Sequence, residues 1–81
     1  MKKDFIVRLY RARWNEGAPP ETAETTFLVE NAAHADHAIA EARAVLALAA
    51  GWKNHGAAVQ AYTPDSPLLR DAGGELRRIS L

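Results

Sequence analysis

The hydrophobic period of this chain switches once from two residues to nearly four and then switches back, and that limits the folds open to it. From residue 35 onward, Ala35, Ala38, Ile39, Ala42, Val45, Leu46 and Ala49 recur at the i, i+3, i+4, i+7 spacing of one helix face. Asp36, His37, Glu41 and Arg43 fall off that face. On both sides of this run the pattern is that of strands. Phe5, Val7 and Leu9 alternate with Asp4, Ile6, Arg8 and Tyr10, which predicts a first strand over 5–13 with one apolar and one mixed face. Residues 25–30 are rich in β-branched and aromatic types and predict a second strand, with Phe27 and Val29 pointing as Phe5, Val7 and Leu9 do. Residues 57–62 and 75–81 supply a third and a fourth.

The breakers between these runs are explicit. Gly17 and the Pro19–Pro20 pair make residues 15–21 an exposed hairpin loop. Gly51 is placed to end the helix, with Trp52 folding back over Ala47 or Leu48 as a structural lid. Thr63-Pro-Asp-Ser-Pro67 stops the third strand, and Asp71-Ala-Gly-Gly74 makes a further turn. The expected architecture is therefore α+β, ββαββ: one domain over residues 1–81, with a four-stranded antiparallel sheet in order 2-1-3-4 and one helix on one face.

A single helix covers a single face. The other face should carry Ile6, Arg8, Tyr10, Thr26, Leu28, Glu30, Ala58, Gln60 and Tyr62. Such a face is commonly half-solvated. Here Ile6, Leu28, Tyr10 and Tyr62 would form an apolar and aromatic centre rimmed by Arg8 and Arg78, the composition of an interface. The outer side of the helix is also poor in charge, with Ala40, Ala44, Ala47 and Leu48. Alanine is the best helix former, yet small side chains also let another chain approach closely. A domain of 81 residues stands near the lower limit for a self-sufficient core, and dimerisation would add buried surface.

Composition narrows the function classes. Ten basic and ten acidic side chains cancel, without the overall basic excess that nucleic-acid binders usually carry. There is no cysteine, hence no disulfide, thiolate nucleophile or cysteine metal cluster, which suits a reducing cytoplasm. The two lysines ahead of the first apolar run are not followed by a signal-peptide core, because Asp4, Arg8, Arg11 and Arg13 interrupt it. No apolar stretch approaches the ~20 residues of a membrane span, so no membrane partner is expected.

The segment His34-Ala-Asp-His-Ala-Ile-Ala-Glu-Ala-Arg43 is the one place where ionisable groups crowd. His37 and Glu41 share a helix face, but a zinc site wants three or four convergent ligands. The third histidine, His55, lies beyond the far end of the helix, roughly 25 Å away at ~1.5 Å per residue. The segment reads instead as a helix start: Asp36 complements the positive helix end, and His34 competes with Asn31 for the cap. A protonated histidine there is opposed by the helix dipole, so acid should loosen this end. Gly73–Gly74 lacks the context of a phosphate loop, and Ser66 and Ser80 have no histidine placed beside them. No catalytic residues, metal ligands or cofactors are assigned.

The expectation is a small non-enzymatic module in the cytoplasm that binds another protein or itself, as a homodimer. A phage- or mobile-element-encoded inhibitor or accessory protein is one biological form of it. Arg8, Tyr10, Leu28 and Tyr62 on the sheet face, with Trp14 at the mouth of the proline loop, are the expected anchors, because aromatic and arginine side chains dominate interface energetics. The alternative is a single-stranded nucleic-acid binder that stacks bases on Tyr10 and Tyr62 and holds phosphates with Arg8 and Arg78.

Overall fold

Residues Phe5, Ile6, Val7, Arg8 and Leu9 are all buried, so the strand that carries them must be covered on both faces and paired on both edges. The computed structural model, which describes residues 1–81 except Asp71, Gly73 and Gly74, meets that demand. Strand β1 (Lys3–Arg13) pairs antiparallel with β2 (Glu21–Ala32) on one side and with β3 (Lys53–Ala61) on the other. Strand β4 (Leu76–Ser80) adds to the far side of β2 in parallel, giving the order β3-β1-β2-β4.

The sheet is α+β as expected, with β1 between β2 and β3, but it is mixed, and β4 is not the neighbour of β3. The reason lies in the connection over residues 62–75. It is far longer than a hairpin needs and matches the dozen or more residues of a parallel crossover. It contains one helical turn, α2 (Pro67–Arg70), against the face that carries Arg8. The segment Ser66-Pro-Leu-Leu-Arg70 had the signature of a helix start, with proline at the first helical position. The turn predicted at Asp71–Gly74 lies outside the described residues.

The first crossover, from β2 to β3, runs through α1 (Ala35–Val45) over the opposite face. There Ala38 and Ala42 are fully buried against Phe5, Val7, Leu9, Phe27 and Val29, with Ile39, Leu46, Val59 and Ile79 completing the layer. The two crossovers travel in opposite directions across the sheet over opposite faces. They therefore share one hand, which the strong handedness preference of parallel connections requires. Among the described residues no helix is long and apolar enough to cross a membrane.

Helix α1 is shorter than its periodicity predicts: it ends at Val45, and Leu46 is extended, with φ −77° and ψ 104°. A length mismatch explains this. The chain must return from Ala32, opposite Lys3, to Lys53, opposite Ala12. Nine residues of strand cover about 30 Å at ~3.3 Å each. A helix over 35–50 spans only about 24 Å at ~1.5 Å per residue. Leaving the helix at Leu46 supplies the missing reach. Gly51 is still needed, with φ 86°, but in the turn that follows rather than as the helix cap. A Cβ there would stand 3.4 Å from Arg13 Cδ, an ordinary contact, so the positive φ and not crowding calls for glycine.

The histidines at the start of this helix, His34 and His37, each accept a backbone N–H there. The backbone N–H of His37 donates to His34 Nδ1 at 3.2 Å, and that of Ala33 donates to His37 Nδ1 at 3.0 Å. The His34 ring thus takes a first-turn N–H, as serine does in a capping box, while the His37 ring reaches back past the cap to the N–H of Ala33. With both Nδ1 atoms accepting, the protons sit on Nε2, and that of His37 faces Glu41 Oε1 at 3.4 Å. Asn31, the rival cap, instead takes a left-handed conformation (φ 65°), where the β1–β2 register shifts, and its N–H donates to Asp4 Oδ1 at 3.0 Å. Replacing His34 by alanine should cost about 1 kcal/mol in urea unfolding, whereas His34→Asp should cost nothing. Equal stability of the alanine variant and the parent would show that the cap is idle.

Candidate functional site

The face opposite α1 is closed over its centre. Leu28 is 5% exposed and Arg8 is 7% exposed, so neither is on the surface where an open face would put them. Arg8 Nε donates to Thr26 Oγ1 at 3.2 Å, and its Nη2 donates to the carbonyl of Leu68 in α2 at 2.9 Å. The Leu68 N–H in turn donates to Gln60 Oε1 at 3.3 Å. A buried guanidinium loses hydration, and these bonds from strand and crossover replace part of it. Arg8 is thus a fastener for α2. Arg78, expected beside it on the rim, sits at the outer edge against Glu30 at 3.3 Å.

Three expected anchors keep some exposure but do not converge. Tyr62 lies just past the end of β3 and is 39% exposed, its N–H donating to the carbonyl of Asp4 at 2.9 Å. Tyr10 is half-buried and lies at the other end of β3, opposite Gly56. Trp14 is 57% exposed, edge-on to His55 with ring centroids 5.7 Å apart. Tyr10 and His55, with Thr22, Ala23, Glu24 and Arg11, line a shallow pocket of about 570 Å³. Among the described residues no three histidines or carboxylates converge as metal ligands.

Trp52, read from sequence as a lid, lies under the guanidinium groups of Arg13 and Arg11, 5.3 and 5.9 Å from its ring centroid. Arg13 also reaches Glu21, with its Nη2 2.7 and 2.8 Å from the two carboxylate oxygens. The hydrogen bond from Arg13 holds the Glu21 carboxyl below the ordinary range, and Asn15 Nδ2 adds a further bond at 3.2 Å. This ion pair staples the base of the hairpin loop.

The feature that composition hid is the outer edge of β3. Tyr62 donates to Asp4, its directly opposed residue, so backbone groups alternate along the ladder from that point. Gly56, Ala58 and Gln60 face β1, and the N–H and C=O groups of Ala57, Val59 and Ala61 face outward. Among the described residues no strand pairs with that edge. The outward carbonyl of Ala61 receives a long bond of 3.4 Å from Ser66 Oγ, which leaves its second lone pair free. Exposed edges are normally blunted with charge, proline or a bulge. The lysine and the bulge of β3 lie at its start, at Lys53 and His55, and Gly56-Ala-Ala-Val-Gln-Ala-Tyr62 carries no charge or proline. The opposite edge strand, β4, has five residues and two arginines.

Because the Glu21 carboxyl is held low in the folded state, its pair with Arg13 stabilises above the ordinary carboxylate range and is lost as pH falls through the lowered value. The stability difference between the parent and Glu21→Gln should therefore shrink to nothing on acidification. A difference constant with pH would show that the pair does not hold the loop. Comparison of the chain with known protein families, with curated proteins and with solved structures gives no significant match in any of the three.

Proposed function

We propose that this protein is a non-catalytic binding module that acts by strand addition: its β3 edge takes up an extended segment of a protein partner. The observation that carries this reading is the run of outward N–H and C=O groups at Ala57, Val59 and Ala61 on an uncharged edge. Main-chain hydrogen bonds give affinity in this mode, and side-chain pockets beside the edge give selectivity. The shallow pocket at Tyr10 and His55 adjoins the start of the open run, and Tyr62 adjoins its end. Trp14 and Tyr10 serve as rim contacts here, while Arg8 acts indirectly by fastening α2 to the sheet and Leu28 stays buried.

Binding single-stranded nucleic acid would need Arg8 and Arg78 beside two tyrosines on one open face; Arg78 is exposed beside Glu30, but Arg8 is buried, which favours the protein partner.

The test uses Ala57→Pro. It removes an outward N–H without touching the ladder to β1, a position where edge strands accept proline. Circular dichroism should be that of the parent, and proteins crosslinked to the parent in cells of its source should be absent with the variant. Association should persist at high salt, whereas a phosphate-driven complex loses affinity steeply. Partners that survive Ala57→Pro, or that leave as salt rises, would contradict strand addition.

A further inference from the structure

We infer that the segment taken up by the β3 edge is β3 of a second copy, paired antiparallel about a two-fold axis through Val59. The inference rests on the strand-addition reading and names its occupant. An isologous contact requires one stretch to complement itself. In an antiparallel pair centred on Val59, each residue meets the one as far on the other side of the centre. Ala57 then opposes the partner's Ala61, Val59 opposes the partner's Val59, and all of these have their backbone groups facing outward. The opposed residues exchange N–H···O=C bonds in both directions. Two four-stranded sheets become one continuous sheet, with both copies of α1 on the same face.

The side chains agree with this register. Gly56 meets the partner's Tyr62. Gly56 has no positive φ, and a Cβ built on it meets nothing within 4 Å, so neither conformation nor crowding within one chain calls for glycine there. The space above it lies on the face of Tyr10, its cross-strand neighbour on β1. The partner's Tyr62 would stand over Gly56 beside Tyr10, the aromatic-over-glycine pairing that steadies edge strands. This uses Tyr62, which is 39% exposed in the single chain. Val59 meets its own copy next to the α1-side core, as a β-branched cross-strand pair. Lys53, the one charged residue of β3, is carried to the partner's turn over residues 63–66, where Asp65 supplies the opposite charge.

The protein has no cysteine, so single cysteines report the register directly. Opposed Cα atoms of such a pair lie about 5.5 Å apart, within disulfide reach, whereas the two copies of residue 57 would be separated by more than the ~7 Å limit. Light scattering of the parent should give the mass of two chains. Val59→Cys should oxidise almost completely to a covalent dimer. Ala57→Cys and Ala61→Cys should each stay uncrosslinked alone and form a mixed dimer when combined. Both alanines are exposed, so that mixture remains informative if Val59→Cys disturbs the core. A single-chain mass at every concentration, or Ala57→Cys linking to itself while the mixture does not, would overturn the proposal. If the parent is a single chain yet loses other partners with Ala57→Pro, self-pairing fails and strand addition stands; if it loses none, both fail.

Discussion

Burial of β1 on both faces is the constraint from which the rest of the structure follows. Phe5, Val7 and Leu9 require a layer on one side, and Ile6 and Arg8 require one on the other. In so short a chain those layers can only come from the connections. The β2–β3 connection supplies α1, and the β3–β4 connection supplies α2. Both are parallel crossovers, and together they force β4 to the outer side of β2. Arg8 is where the requirement is sharpest, since a guanidinium under cover needs acceptors, and it finds them in Thr26 and in the backbone of α2.

The same arrangement decides which edges are left over. Strand β4 ends the sheet on one side, short and bearing Arg77 and Arg78. Strand β3 ends it on the other, and from Gly56 to Tyr62 its residues are small or neutral. Small side chains at Ala57, Ala58 and Ala61 hold little apolar area of their own, so the backbone is what this edge offers. Lys53 and the bulge at His55 blunt the beginning of the strand and confine pairing to the remainder.

Much of the fold was legible in the sequence, because two signals were strong. Alternation located β1 and β2 with Phe5, Val7, Leu9, Phe27 and Val29 on one face, and helical spacing located α1 with Ala38 and Ala42 inward. The helix start was legible only down to two rival caps, Asn31 and His34; neither the choice of His34 nor the bond to the His37 ring was, since imidazole rarely appears in that role. The helix end was not legible: residues 46–49 keep the apolar spacing, and only the span between Ala32 and Lys53 reveals that the helix must end before them. The fate of β4 was coded by the length of residues 62–75 and by Ser66–Pro67, signals weaker than the turn residues around them. The closed face followed from that miss. Pattern alone placed Arg8 and Leu28 on the second face correctly, but a pattern does not say what covers a face. The edge of β3 was hidden for another reason, as what it exposes is backbone groups that every residue carries.

Self-pairing requires the outward amides of β3 to be free in the single chain and bonded in the assembly. Residue-resolved amide hydrogen exchange across a dilution series measures this directly. The amides of Ala57, Val59 and Ala61 should exchange fast when dilute and slow together as concentration rises. Those of Gly56, Ala58 and Gln60, bonded to β1, should stay protected throughout. Exchange at Ala57, Val59 and Ala61 that is unchanged over the whole series would contradict self-pairing at this edge.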